Sequence, residues 1–168
     1  MFTAIIHARR GPEALALTLS ALVAGVAQGV VADAVVVTQT QDATIKRIAE
    51  QTGATFVTAA PGESPWRAGA AHARRDWLFL LEDGDVPLDG WTSALDRHAF
   101  AAAAAGPMLG RLQRRPAGLA GRVKALAASL SRRPRAGDLV HRSQLAGAGK
   151  IVRVQAAIVR EAAIAAAR

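Results

Sequence analysis

The sequence contains no cysteine, which excludes disulfides, thiolate metal ligands and cysteine nucleophiles and suits a reducing compartment. It contains no tyrosine either, and its three tryptophans, Trp66, Trp77 and Trp91, all lie within residues 1–100. A basic surface without interleaved aromatics lacks the stacking platforms that nucleic-acid binders use, so nucleic acid ranks last among the partners the charge suggests. Acidic residues become scarce past residue 100: residues 1–100 carry 8 basic and 11 acidic side chains, residues 101–168 carry 13 and 2. An uninterrupted hydrophobic span is also missing. Ala14 to Val31 approaches membrane-span length, but Thr18, Ser20 and Gln28 interrupt it and Gly11-Pro12-Glu13 opens it, as expected for a buried helix. At the N-terminus Arg9 and Arg10 follow the short apolar run rather than precede it, the reverse of a secretory signal.

What is present is apolar residue in quantity, 51% of 168 positions, enough to bury one sizeable core in one domain. The net charge of +8, concentrated in the second half, suits an anionic partner such as lipid headgroups or a diphosphate; a solvated basic surface explains it equally well.

Hydrophobic patterning alternates strands with helices. Phe2 to His7 reads as a strand, and Gly11-Pro12 as a turn into a helix with proline at its first position. Ala34-Val35-Val36-Val37 is a continuous β-branched run, the mark of a strand covered on both faces. Asp42 reads as the N-cap of a helix with Ile45, Ile48 and Ala49 on one face, closed by Gly53. Thr55-Phe56-Val57 is a third strand, an alanine-rich helix follows around Arg67 to Arg74, and Trp77 to Leu81 gives the strongest strand signal. Such spacing predicts βαβ units and an α/β fold, with ligand-facing loops at the carboxyl edge of a mostly parallel sheet flanked by helices. Residues 91–105 are expected to be helical, although the alanines before Gly106 could include a strand. Leu119, Val123, Leu126 and Leu130 mark an amphipathic helix over residues 117–131, an apolar stripe that is more often core than membrane contact. Arg132 to Gly137 is a basic loop, and residues 151–168 read as a short strand followed by an alanine-rich helix.

The loop Glu82-Asp83-Gly84-Asp85 places three carboxylates after an apolar strand. Hard divalent cations take oxygen ligands of this kind together with substrate phosphates, and a diphosphate leaving group needs its charge neutralised. Acidic residues and glycine are also simply good turn formers. None of His72, His98 and His141 has metal-ligand spacing.

Four segments together resemble family-2 glycosyltransferases of bacteria. Ile5-Ile6-His7-Ala8-Arg9-Arg10 is similar to the family's Val-Ile-Pro-Ala-Arg-Asn, and Val35 to Thr44 to its Val-Val-Asp-Gly-Ser-x-Asp-x-Thr. Arg67 to Leu81, then Asp85-Val86-Pro87-Leu88-Asp89-Gly90-Trp91, resembles its Asn-x-Gly, strand, acidic motif and Pro-x-x-Gly-Trp. The match covers residues 2–95 in the family's order, and a fainter one runs from Leu126 through Gly137-Asp138 to Val140-His141-Arg142-Ser143.

The resemblance implies a GT-A (nucleotide-diphospho-sugar transferase) fold in one domain, with residues 1–100 as the nucleotide-binding half and 101–168 as a basic acceptor-side half. It implies a nucleotide-diphosphate sugar donor and a divalent metal, Mg²⁺ or Mn²⁺. His7 and Arg9 would border the base, Thr38 and Asp42 the nucleoside and Arg67 the nucleotide. Asp83 and Asp85 would hold the metal, and Asp138 would be the catalytic base. The expected role is sugar transfer in envelope or polysaccharide synthesis, in the cytoplasm, with the basic half against an anionic inner-membrane surface. The sequence departs from the family at Thr38, where an aspartate is usual. Counted back from Pro87, the family's two aspartates fall on Glu82 and Gly84. A later Glu-Asp motif has no counterpart after Asp138. These departures leave open a second reading, a non-catalytic nucleotide- or membrane-surface-binding protein on the same scaffold.

Overall fold

The computed structural model describes residues 1–114, 131–147 and 150–160. The expected helix over 117–131 and the expected C-terminal helix lie outside the described residues.

Strand β1 (Phe2–His7) runs into helix α1 (Pro12–Ala27), β2 (Val31–Thr38), α2 (Ala43–Gln51), β3 (Thr55–Thr58), α3 (Pro65–His72) and β4 (Trp77–Glu82). The local signals act as read. Pro12 occupies the first turn of α1, and Asp42 caps α2 by accepting from the backbone N–H of Thr44 (2.9 Å) and Ile45 (3.0 Å). All four of these strands are parallel, in the order β3-β2-β1-β4. The runs Val35–Val37 and Leu78–Leu81 are buried on both faces of the sheet, one face under α1 and α2, the other under α3. Full burial of each such side chain contributes about 1.5–3 kcal/mol, so the centre of the sheet is the most strongly held part of the molecule.

The second half completes one eight-stranded sheet with β5 (Asp85–Pro87), α4 (Trp91–Ala105), β6 (Leu109–Arg114), β7 (Asp138–His141) and β8 (Ile151–Arg160), in the order β4-β7-β6-β8-β5. Here the pairing is mixed: β7 is antiparallel to β4 and β6, β8 is parallel to β6, and β5 is antiparallel to β8. The alanine run is helical through Ala105, with no strand in it. The expected short strand is the ten-residue β8. Strand β6 is legible only in hindsight, because Gly110, Arg111 and Arg114 break its apolar pattern.

Topology then decides what meets at the carboxyl edge. The chain leaves β1 toward β2 and β3, then returns over α3 to β4 on the other side of β1, which makes the β1/β4 boundary the switch point where such sheets bind ligands. Because β7 runs against β4, its N-terminal end lies at that edge, and the carboxyl ends of β6 and β8 lie there too. Arg114 and Arg160, the last residues of β6 and β8, therefore arrive beside the acidic loop.

Candidate functional site

His7 ends β1 and is buried, with the edge of its ring against Trp66 of α3 at 5.9 Å. Its Nε2 is buried without a hydrogen-bond partner among the described residues. Burial, reinforced by the neighbouring Arg9 charge, holds its pKa below the usual histidine value, against the opposing pull of Glu82 and Asp83. Thr38 ends β2 with its Oγ1 buried and likewise unpartnered. Asp42 follows at the N-terminus of α2, where one carboxylate oxygen is committed to the cap.

Asp83 is fully buried and fastens the loop after β1: its Oδ2 accepts from the backbone N–H of Arg9 (2.9 Å) and Arg10 (2.5 Å), while its own N–H donates to the His7 carbonyl (3.2 Å). Its other oxygen, Oδ1, has no partner among the described residues. The structure thus brings His7, the Arg9 backbone and Asp83 together, while the Arg9 side chain remains exposed. Gly84 supplies the positive φ (80°) that turns the chain between β4 and β5.

Asp85 is also fully buried, but both oxygens are engaged. Arg114 donates from Nη1 to Oδ1 (2.8 Å) and from Nη2 to Oδ2 (2.5 Å), the Glu82 N–H donates to Oδ2 (2.9 Å), and Nε of Arg160 lies 3.5 Å from Oδ1. Arg160 also pairs with Glu82. Asp138 is buried in a second fork: Nε and Nη2 of Arg111 each donate to it at 2.9 Å, and the Arg135 N–H adds a bond of 3.0 Å. Burial raises the Asp138 pKa, with Arg111 acting in the opposite direction. A base must reach a substrate proton, and a carboxylate with no exposed surface and both oxygens on a guanidinium does not.

Arg67 stands apart. It lies exposed on α3 at a groove of about 320 Å³ shared with Ala70, Arg142, Ser143 and Leu145, and neither Thr38 nor the acidic loop lines that groove. A larger apolar groove, about 640 Å³, lies between α1 and α2 over Val31–Ala34. That is the amino-terminal half of β2, at the opposite end of the strand from Thr38. Of the remaining histidines, His98 and His141 pack edge-on against Trp77, with ring centroids 5.5 and 5.4 Å away, and His72 is exposed.

The acidic loop does not fit a divalent cation as the resemblance implies. Of the expected pair, Asp85 has both oxygens on arginine, and Asp83 has a single uncommitted oxygen that is itself buried. No three histidine or acidic side chains among the described residues are grouped to hold an ion. Such a cation normally takes its protein oxygens from carboxylates that are free to turn toward it. What sequence reading missed is the pairing of these carboxylates with Arg111, Arg114 and Arg160. With β6 unread as a strand, nothing in the sequence marked Arg111 and Arg114 as buried and paired, as arginine in an interior has to be.

Comparison with solved structures defines the fold. Over 87% of this chain and 47% of the other, it superposes on S. aureus TarS 1–349 in complex with UDP-GlcNAc, at TM-score 0.54 and 11% identity. Mannosyl-3-phosphoglycerate synthase from Rubrobacter xylanophilus matches over 86% and 55%, at TM-score 0.58 and 12% identity. Glucosyl-3-phosphoglycerate synthase from Mycobacterium tuberculosis, in complex with Mn²⁺ and UDP-Glc, matches over 86% and 57%, at TM-score 0.52 and 15% identity. No protein-family model matches the sequence, and no curated protein is similar to it in sequence. The chain has the GT-A fold of these glycosyltransferases, as the sequence resemblance implied. It spans about half the length of the structures it matches.

Proposed function

We propose that the chain binds a nucleotide-diphosphate sugar at the carboxyl edge of β1, β2 and β4 and transfers the sugar to an acceptor hydroxyl. The observation that carries this reading is a set of three buried polar atoms without partners among the described residues, His7 Nε2, Thr38 Oγ1 and Asp83 Oδ1, at or just beyond the carboxyl ends of three adjacent strands. Leaving such an atom unsatisfied costs about 1–3 kcal/mol, and a base and ribose offer the matching donors and acceptors. Transfer would break the bond between the sugar's anomeric carbon and the diphosphate, form one to the acceptor oxygen, and pass the acceptor proton to a carboxylate. Glu82, whose side chain is 26% exposed, is the member of the acidic loop that solvent and an acceptor can reach. In this reading the protein works in the cytoplasm in envelope or polysaccharide assembly, and the scarcity of acid past residue 100 supports contact of that half with an anionic membrane surface. Among the described residues no helix is long and apolar enough to cross a membrane.

Calorimetric titration with UDP and GDP, followed by donor hydrolysis, tests the reading. Thr38→Val should weaken nucleotide binding about tenfold, the worth of one hydrogen bond, with little change in melting temperature. Absence of binding to either nucleotide refutes the proposal. Binding without turnover assigns the chain instead to the non-catalytic reading.

A further inference from the structure

Deepening the donor-binding reading, and resting on it, we infer that the diphosphate is met at this edge by guanidinium, with Arg135 as the principal contact, and not by a divalent cation in the acidic loop.

The charges at the edge can be followed pair by pair. Asp138 is neutralised by Arg111, and Asp85 and Glu82 by Arg114 and Arg160. A cation seated among the carboxylates of the acidic loop would have to displace two guanidiniums, Arg114, which holds Asp85 in a fork, and Arg160, which bridges Glu82 and Asp85. The arginines therefore do for the loop what a metal would otherwise do.

Arg135 is a further cation at this edge, and unlike Arg9 and Arg10 it is partly buried. It sits half-buried three residues before β7, in a turn tied to the end of β4 by the Gly137 N–H donating to the Leu80 carbonyl at 2.7 Å. Its backbone N–H is bonded to Asp138, but its guanidinium makes no ion pair with any described residue. Residues 115–130 contain no acidic side chain at all, and residues 161–168 contain only Glu161. Partial burial, together with the nearby charges of Arg111 and Arg114, lowers its pKa against the opposing pull of Asp138, although a guanidinium stays charged at any physiological pH. A half-buried positive group beside two others, whose neighbouring acid Asp138 is already forked by Arg111, suits an anion, and guanidinium matches phosphate oxygens in two-pronged geometry. Its position beyond the end of β4, next to the switch point at β1, is where the diphosphate of a donor at His7 and Thr38 would arrive.

The test is titration calorimetry with inorganic pyrophosphate and with UDP, each in EDTA and in Mn²⁺, on the full chain and its Arg135→Gln and Arg135→Lys variants. Both probes should bind in EDTA with affinities within about threefold of those in Mn²⁺. Arg135→Gln should weaken both about tenfold, the loss of one charge-assisted bond, and Arg135→Lys should restore part of that. Melting temperatures should stay at the parent value or rise, since the substitution relieves repulsion, and this separates lost contact from lost fold. Binding that requires Mn²⁺, or that ignores Arg135→Gln, overturns the inference and leaves the donor reading intact. Arg135-dependent binding of pyrophosphate without binding of UDP or GDP supports the anion site and overturns the donor reading.

Discussion

Asp85 and Arg114, 29 positions apart, meet in a two-pronged ion pair of 2.8 and 2.5 Å at the carboxyl edge of the sheet, and the carboxylate has no exposed surface. The acidic loop is consequently a structural clamp. It ties the β4–β5 turn to the ends of β6 and β8, which the chain reaches much later.

Breaking that pair from one side should be costly, because a buried carboxylate loses its main counter-charge. Arg114→Met should destabilise the fold by about 3 kcal/mol, read as a lower urea midpoint. Adding Asp85→Asn should recover a large part of the loss, since both charges are then gone. A coupling energy below about 0.5 kcal/mol in this double-mutant cycle would mean that the pair is not the clamp described.

His98 predicts a pH dependence of defined sign. Its ring is buried, its Nε2–H donates to the Met108 carbonyl at 3.2 Å, and burial lowers its pKa below 6.5 in the fold. The unfolded chain therefore takes up a proton first as pH falls. The stabilisation of the neutral ring is fully present above the unfolded value and is lost as pH drops through the folded one. Melting temperature should be flat from pH 8 to 7 and decline between pH 6.5 and 5. His98→Gln should reduce that slope while leaving the part due to His7, which shifts in the same direction. An unchanged slope in the variant would assign the effect elsewhere.

Gly69 on α3 is a contact glycine. A β-carbon there would come within 2.6 Å of Ile5 Cγ2 and 3.0 Å of Val37 Cγ2 on the strands beneath. Alanine should gain about 1 kcal/mol of helix propensity, yet overpacking of this kind costs about 1–3 kcal/mol. Gly69→Ala is expected to be net destabilising by thermal denaturation, and to lift Trp66 away from His7, shifting tryptophan fluorescence.

The first 105 residues were largely legible because each element carries its own signal. The valine run of β2, the Asp42 cap and the apolar β4 all fold as their periodicity and end residues indicate. The second half was less so. Strand β6 has a glycine and two arginines where a strand pattern wants apolar residues, and Arg111 is tolerated in the interior only because Asp138 lies across the ladder from it. The site divided in the same way. That an acidic loop would follow β4 was readable, and that Asp83 would grip the loop after β1 was not, since its partners are backbone groups more than seventy positions away.

By itself the sequence determined the βαβ succession, the burial of the central strands and the place of the acidic loop at the end of β4, because hydrophobic period, caps and turn glycines act between near neighbours. Only the tertiary structure decided what the carboxylates do. Their partners Arg111, Arg114 and Arg160 come from strands whose order and direction bring them to one edge, and pairing across a sheet is set by register between distant segments, which leaves no local trace in the chain.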